Sequence, residues 1–425
     1  MEYYAKSKKV QFTSERINEI KKNMKNIEEC LKENLTETDV EILNSSITDI
    51  AEKTEEKQKT LKEHHKDIVT CAEMFFLEYG EYFTEKEKKL VVEACRIHDL
   101  GKVNLVFQAM ICPKLAEKFH IDVRKTSQIP HGFLSAVTIS LDEFDDLSEL
   151  FSDKDFGPFI TAVYYHHDRE DHYNSPAIRK YAEKYYMKQI EEYLNRKIRK
   201  LNCSNLDDLL FRNNVYTGKY IPDSNAWKEY LLIKGLLNKF DYTVSAGYEN
   251  AESAIDLHEK KLVKNIEKFL NGKELRPAQK FMKMNRDKNL IVIAPTGSGK
   301  TEASLLWMNG EKSFYTLPLK VSSNAIYLRI KENYEYKDVA LLHSDAMAVY
   351  LREYNGNEDI GEKYERSKML SQPLTVCTVD QLFRFVYRAL GTEIFAATLK
   401  YSKLVLDEIQ AYEPRVIATI IYGLK

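Results

Sequence analysis

No run of about 20 apolar residues occurs in the 425-residue chain, so nothing in it is suited to cross a bilayer as a helix. The opening residues, 1–12, lack the apolar stretch of a secretory leader. Net charge is only −2, which excludes a global basic field. Any nucleic-acid contact must therefore come from local patches, which 63 Lys and Arg can supply. The six cysteines (30, 71, 95, 112, 203 and 377) form no Cys-x-x-Cys pair. Thiols acting as small hydrophobes in a reduced, cytoplasmic protein are expected. No internal repeat or low-complexity segment stands out.

What is present is a soluble globular composition, 44% hydrophobic and 30% charged. The length predicts two or three domains. Residues 13–60 are rich in Lys and Glu and read as a solvated helical insertion. From 61 to about 249 the pattern is helical throughout. A charged stretch over 250–272 reads as a linker. Beyond it, short β-branched runs alternate with helical segments: Leu290–Ile293, Ser313–Thr316, Val339–Leu342, Leu374–Cys377 and Lys403–Leu406. Continuous apolar runs between helices predict a parallel sheet buried on both faces, so 273–425 is expected to be an α/β domain.

The sharpest motif is Ala294-Pro-Thr-Gly-Ser-Gly-Lys-Thr301, which follows the apolar run and precedes a helix-like segment. Strand, glycine loop and helix in that order form a phosphate cradle of backbone N–H groups at a helix N-terminus. Thr296, Gly297, Ser298 and Gly299 would surround the phosphates. Lys300 would hold the β- and γ-phosphates of ATP, and Thr301 would ligate Mg²⁺. A chance glycine turn would not explain the strand before it and the Lys-Thr after it. The run Leu404-Val-Leu-Asp-Glu-Ile-Gln410 supplies the second half. There Asp407 would stand near Mg²⁺ and Glu408 near the attacking water, since phosphoryl transfer needs both positioned together.

These motifs resemble the superfamily 2 helicases. By that resemblance Gln279, in Leu275-Arg-Pro-Ala-Gln279, would read adenine. Pro318 and Lys320, in Thr316-Leu-Pro-Leu-Lys-Val-Ser-Ser-Asn324, would touch a nucleic-acid backbone. Thr378 and Gln381, in Thr378-Val-Asp-Gln381, would do the same. Taken singly, each is also what an ordinary strand-end loop looks like. No Ser-Ala-Thr-like motif follows, and the chain is expected to lack a second motor lobe. The chain is expected to bind ATP but not to unwind duplexes alone.

Histidine falls in a telling order upstream. Leu61-Lys-Glu-His-His-Lys-Asp-Ile68 offers His64 or His65. Arg96-Ile-His-Asp-Leu-Gly-Lys102 offers His98 and Asp99. Pro130-His-Gly-Phe-Leu-Ser135 offers His131. Ala162-Val-Tyr-Tyr165 is followed by His166 and His167, and Lys239-Phe-Asp-Tyr-Thr-Val-Ser245 offers Asp241. Val91, Cys95 and His98 share one helical face, which turns His98 toward a core where an imidazole needs a partner. A single buried histidine is more often bonded to a carboxylate than to a metal. A His-Asp doublet, a His-His doublet and an Asp within helical sequence form the ligand set for Mn, Fe, Ni, Co or Zn.

This order resembles the HD-domain metallohydrolases, and among them the CRISPR-associated HD nuclease–helicases of type I systems. Ala5-Lys6-Ser7 and Asp407-Glu-Ile-Gln-Ala-Tyr412 resemble that family too. The resemblance implies an all-α HD domain followed by an α/β RecA-like P-loop lobe. It implies that His64, His98, Asp99 and Asp241 hold one divalent transition metal. Asp99 would bridge to a second, held also by His131, His166 and His167. The family register favours His64 over His65. Lys102 would contact the scissile phosphate, although a cation at a helix end can equally be a surface feature. The implied activity is cleavage of single-stranded DNA, coupled in the intact protein to ATP-driven 3′-to-5′ translocation. The implied partner is a crRNA-guided surveillance complex, and no membrane is involved. Two alternatives are an HD phosphohydrolase of nucleotides and an inactive module that binds DNA or the complex. The attached motor argues against the first, and complete ligand positions argue against the second.

Overall fold

The computed structural model describes residues 2–5, 59–139, 156–167, 175–198, 201, 210, 224–253, 260–353 and 360–424. The expected insertion over 13–60 lies outside these, apart from its last two residues, as do Lys6 and Ser7. The chain divides into two compact units. One gathers the described residues up to Ala251 together with Leu390–Ala397, and the other takes the remainder from Glu252 onward.

The first unit is helical. Helix α1, Leu61–Tyr79, begins at a capping box. Glu63 N donates to Thr60 Oγ1 at 3.2 Å, and Thr60 N donates back to Glu63 Oε2 at 2.9 Å. Thr84 and Glu87 open α2, Glu85–Ile97, in the same way. Each cap satisfies orphan N–H groups and contributes about 1 kcal/mol. Along α1 the buried face reads Leu61, His64, Ile68, Cys71, Ala72, Phe75 and Tyr79, the i, i+3, i+4 stripe of a core-facing helix. The spacing that buries Ile68 and Phe75 thus also buries His64. Helices α3, His131–Thr138, and α4, Phe156–Tyr164, are buried almost throughout and lie in the middle of the unit. Phe133 stacks on Tyr164 with ring centres 4.0 Å apart, and burial of each such ring contributes about 1.5–3 kcal/mol. Helix α5, Ser224–Ser245, packs against α1, α2 and α4 and carries Asp241 to the same place.

The N-terminal strand segment is tied down by paired backbone bonds. Ala5 N donates to Lys59 O at 3.0 Å and Leu61 N to Tyr3 O at 2.8 Å. Leu390–Ala397 falls within the sequence expected for the second domain, yet it belongs to the first unit. Its Glu393 is buried and accepts from Tyr230 Oη at 2.7 Å and Lys234 Nζ at 3.0 Å. Pairing of this kind is what makes a buried carboxylate tolerable.

The second unit holds a four-stranded parallel sheet. Its strands are β1 (Ser313–Leu317), β2 (Val339–Leu342), β3 (Leu374–Thr378) and β4 (Lys403–Leu406), in the order β2-β3-β1-β4. Ser313 aligns with Leu374 on one side and Lys403 on the other. Four of the five expected strands therefore form. Leu290–Ile293 does not pair among the described residues, and Ile291 and Ile293 are 94% and 96% exposed. An apolar run signals a strand only if a neighbour supplies the ladder, and none does so here. The expected linker also differs. Residues 261–270 form helix α6, Lys261–Leu270, whose Leu262, Val263 and Ile266 enter the core of this unit. That core also holds Leu305 and Met308 of α8, Lys300–Met308. Helix α7, Pro277–Met284, packs beside α8. No described helix is long and apolar enough to cross a membrane.

Candidate functional site

The first unit brings its histidines to one carboxylate. Helix α2 ends at His98, which leaves Asp99 at the mouth of a tight 3-10 turn, Leu100–Val103. The turn lies against α3 because residue 101 is glycine. A Cβ there would sit 2.0 Å from the carbonyl oxygen of His131. Ser135 accepts from Gly101 N at 2.8 Å and fixes the approach. Gly132 does the same for α4, since a Cβ there would come within 3.0 Å of the His166 ring.

Asp99 is fully buried and faces two groups. Its Oδ2 lies 3.3 Å from His64 Nε2 and 3.4 Å from His98 Nε2. Its Oδ1 lies 3.0 Å from His131 Nε2 and 3.6 Å from His166 Nε2. His167 Nε2 faces His131 Nε2 at 2.8 Å. Asp241 Oδ1 closes the first group, 3.2 Å from His64 Nε2 and 4.0 Å from His98 Nε2. Ser245, one helical turn on, donates to the same Asp241 oxygen at 3.2 Å. All seven expected metal ligands thus meet in one place. Lys102 is buried with them, its Nζ 2.6 Å from Asp99 Oδ2.

The donor chemistry suits divalent metal. His98 Nδ1 contacts Cys95 O at 3.0 Å, and His166 Nδ1 contacts Val163 O at 2.7 Å. A ring nitrogen facing a carbonyl must carry the proton, which leaves the Nε2 lone pair pointing inward. Among the described residues, His64 Nε2, His98 Nε2, His166 Nε2 and Asp99 Oδ1 are buried without a hydrogen-bond partner. Buried polar atoms left unpaired are costly, and four converging on one volume are what a cation could satisfy. Two ligand groups that share Asp99 meet the distance requirement: His64, His98 and Asp99, and Asp99, His131, His166 and His167.

Electrostatics agree. Burial lowers His131 from its ordinary 6.5 to about 3 and lowers His166 and His167 as well, so these rings are neutral, as ligands must be. Burial opposes the charge on Asp99, but the neighbouring His98 and Lys102 and the close approach of His131 and His166 outweigh it and hold the carboxyl well below its usual range. Asp241 is likewise lowered, burial being outweighed by the close approach of His64 and by the neighbouring His98. His65 sits beside the cluster, its Nδ1 3.2 Å from Tyr193 Oη, and makes no contact with Asp99 or Asp241 of the kind His64 makes.

In the second unit the glycine motif expected to cradle phosphate forms a tight loop. Gly297 and Gly299 take φ of +77° and +85°, conformations that glycine alone adopts without strain. Thr296 precedes them and Ser298 lies between, and Lys300 and Thr301 open α8. Lys300 Nζ stands 3.5 Å from Glu408 Oε1, so the two motifs face one another. Glu408 has φ of +52°, rare for a side chain of its size, and its N–H donates to Asp407 Oδ1 at 2.9 Å. Gln279 is buried; its Oε1 accepts from Arg276 N at 3.0 Å, and its Nε2 lies 3.4 Å from Gly299 O. Arg276 also reaches Gly297 O, a contact with no evident signal in the sequence. Residues 276–278 and Phe281 line a cleft with 291–295 and Ser298.

The four residues expected at nucleic acid lie at or past the carboxyl ends of β1 and β3, where parallel sheets bind ligands. Pro318 follows β1, and Lys320 opens helix α9, Lys320–Leu328, where it pairs with Asp345 at 2.8 Å. Thr378 ends β3 with its hydroxyl buried and unpartnered among the described residues, and Gln381 donates to Asp380 at 2.9 Å.

Comparison with known proteins gives two family matches. The family "Cas3, HD domain" matches residues 51–225, and "DEAD/DEAH box helicase" matches 277–421. The CRISPR-associated nuclease/helicase Cas3 of Methanothermobacter thermautotrophicus is 25% identical over 439 residues, covering 88% of this chain and 51% of that protein. A putative Cas3 of Methanocaldococcus jannaschii is 28% identical over 149 residues, covering 32% of this chain and 20% of that protein. The chain thus spans about half the length of the first relative and a fifth of the second. Among solved structures, T. fusca Cas3 with AMPPNP superimposes with a TM-score of 0.56 at 17% identity, over 88% of this chain and 47% of that one. The ADP form gives 0.55 at 19%, over 87% and 47%. At such identities the structural likeness concerns the fold.

Proposed function

We propose, for a chain that belongs to the CRISPR-associated nuclease/helicase Cas3 family, that the first unit is a two-metal DNase and the second an ATP-binding motor lobe. The observation that carries the nuclease reading is Asp99, one buried carboxylate with a separate histidine group at each oxygen. His64, His98 and Asp241 would hold one divalent transition metal with Asp99, and His131, His166 and His167 the other. Such ions, when bound, supply Lewis acidity to the attacking water and the leaving oxygen of a phosphodiester. The chain's own part is to hold neutral imidazoles and ionised carboxylates in fixed directions. Lys102, beside Asp99, brings a cation to the phosphate oxygens.

In the motor lobe the backbone around Gly297 and Gly299 would cradle the β- and γ-phosphates of ATP, with Lys300 as counter-charge. Thr301 and Asp407 would hold Mg²⁺, and Glu408 would orient water. Gln279 would fix the loop against the adenine side. Pro318, Lys320, Thr378 and Gln381 would meet the DNA backbone. The substrate we infer is single-stranded DNA. Translocation from 3′ to 5′, recruitment by a crRNA-guided surveillance complex and a cytoplasmic location are inferred for the whole protein from its family.

The test is cleavage of single-stranded DNA with Mn²⁺, Fe²⁺, Ni²⁺ or Co²⁺, beside Asp99→Ala and an EDTA-stripped sample. Cleavage by the wild type alone supports the reading. A folded wild type that cuts with none of these metals overturns the nuclease assignment and leaves a binding module.

A further inference from the structure

Tyr315 places its hydroxyl on Asp407, a residue expected on the Mg²⁺ side of the nucleotide site. Its Oη donates to Asp407 Oδ2 at 2.5 Å. The other oxygen of Asp407 is already taken by the Glu408 N–H. Sheet register explains the meeting. Tyr315 lies opposite Val405 on β4 and Val376 on β3. Side chains alternate along a strand, so Asp407, two residues beyond Val405, projects over the same face as Tyr315.

The phenol ring is fully buried in the core under the loop. A valine or leucine would suit a β-strand core equally well, and a buried phenol is tolerable only where its O–H has a partner. Here the partner is the carboxylate of the second motif: the phenol proton goes to Asp407 Oδ2, and with the Glu408 N–H on Oδ1 it fixes the rotamer of Asp407.

We propose that Tyr315 is a positioning residue for the Mg²⁺ of the nucleotide site, acting through the hydrogen bond that holds Asp407 in the geometry the cation requires. The inference rests on the reading of this loop as an ATP site. It assigns no contact between Tyr315 and nucleotide, so the residue acts only through Asp407. Removal of the hydroxyl should leave nucleotide binding intact and weaken the cation's share of it.

The experiment is binding of a fluorescent ATP analogue to the whole chain, in EDTA and across a Mg²⁺ titration, for wild type, Tyr315→Phe, Asp407→Asn and the double variant. Tyr315→Phe should raise the half-saturating Mg²⁺ concentration roughly tenfold, the scale of one hydrogen bond to a charged group. Affinity in EDTA should stay within about twofold, with melting temperature as the check on folding. The double variant should be no worse than Asp407→Asn alone, since the tyrosine works through that carboxylate. Electron paramagnetic resonance of Mn²⁺ bound with ADP should show a changed spectrum in Tyr315→Phe. An unchanged Mg²⁺ titration, or an equal loss of affinity in EDTA and in Mg²⁺, would reduce Tyr315 to a packing residue and overturn the inference. A wild type that binds the analogue under no condition would overturn the ATP site together with it.

Discussion

Lys102 Nζ lies 2.6 Å from Asp99 Oδ2, the oxygen that His64 Nε2 and His98 Nε2 approach at 3.3 and 3.4 Å. The ammonium therefore sits at the edge of the ligand set without belonging to it. A cation in that place opposes metal binding slightly and attracts a phosphate strongly. Lys102→Ala should keep its metal within twofold and lose about 100-fold in DNA cleavage, the scale seen when one preorganised charge partner is removed. Metal content by mass spectrometry and single-turnover cleavage check this together. Loss of metal in parallel with activity would make Lys102 a structural support of Asp99 instead.

Gly101 is where the His-Asp turn meets α3. A methyl group at this position would lie 2.0 Å from a backbone oxygen of His131, with no flexible side chain to yield. Gly101→Ala should cost about 1–3 kcal/mol by overpacking and should displace His131 from Asp99. Thermal melting and metal titration of the variant are the check. A variant with wild-type stability and full metal content would contradict the packing described.

Acid should weaken the metal-free fold through His131. Burial lowers its pKa from 6.5 to about 3. Between those values the unfolded chain binds one proton more than the fold at this residue, so stability falls as pH falls. The slope is about 1.4 kcal/mol per pH unit for each such group. His64 acts in the opposite sense. Burial lowers it, but bonds with Asp241 and Asp99 prevail and raise it, so its proton strengthens the fold below 6.5. The clean comparison is the difference between wild type and His131→Asn. EDTA-treated wild type should lose melting temperature more steeply than the variant from pH 6.5 down to 5, and parallel slopes would refute the assignment.

In the second unit Lys300 faces Glu408, and Gln279 braces Gly299. Lys300→Ala should abolish measurable ATP binding, since the phosphates lose their only lysine in the loop. Gln279→Ala should weaken it roughly tenfold by loosening the loop, on the scale of one lost hydrogen bond. Calorimetry with ATP distinguishes the two. Equal binding by all three proteins would remove the nucleotide assignment.

Much of this was legible in the sequence because chemistry and periodicity coincide. The α1 stripe that contains Leu61 and Ile68 also contains His64, whereas His65 lies one step round the helix and meets Tyr193. The phosphate loop declared itself by glycines whose positive φ is needed. Other features depend on tertiary contact and leave no local trace. Leu290–Ile293 carries a strand pattern without a strand partner among the described residues. Residues 261–270 look like a charged linker, yet three apolar side chains at helical spacing are enough to fix them in a core. The place of Glu393 in the first unit rests on Tyr230 and Lys234, some 160 residues away in sequence. Tyr315 was hidden for a related reason: only the register between β1 and β4 shows that it shares a face with Asp407.

The most direct test of the central claim, a carboxylate shared by two metals, is Mn²⁺ stoichiometry by calorimetry on the metal-stripped chain. The account predicts two ions for wild type, one for His64→Ala, one for His167→Ala, and none held tightly by Asp99→Ala. A single ion in wild type, or two retained by Asp99→Ala, would contradict it.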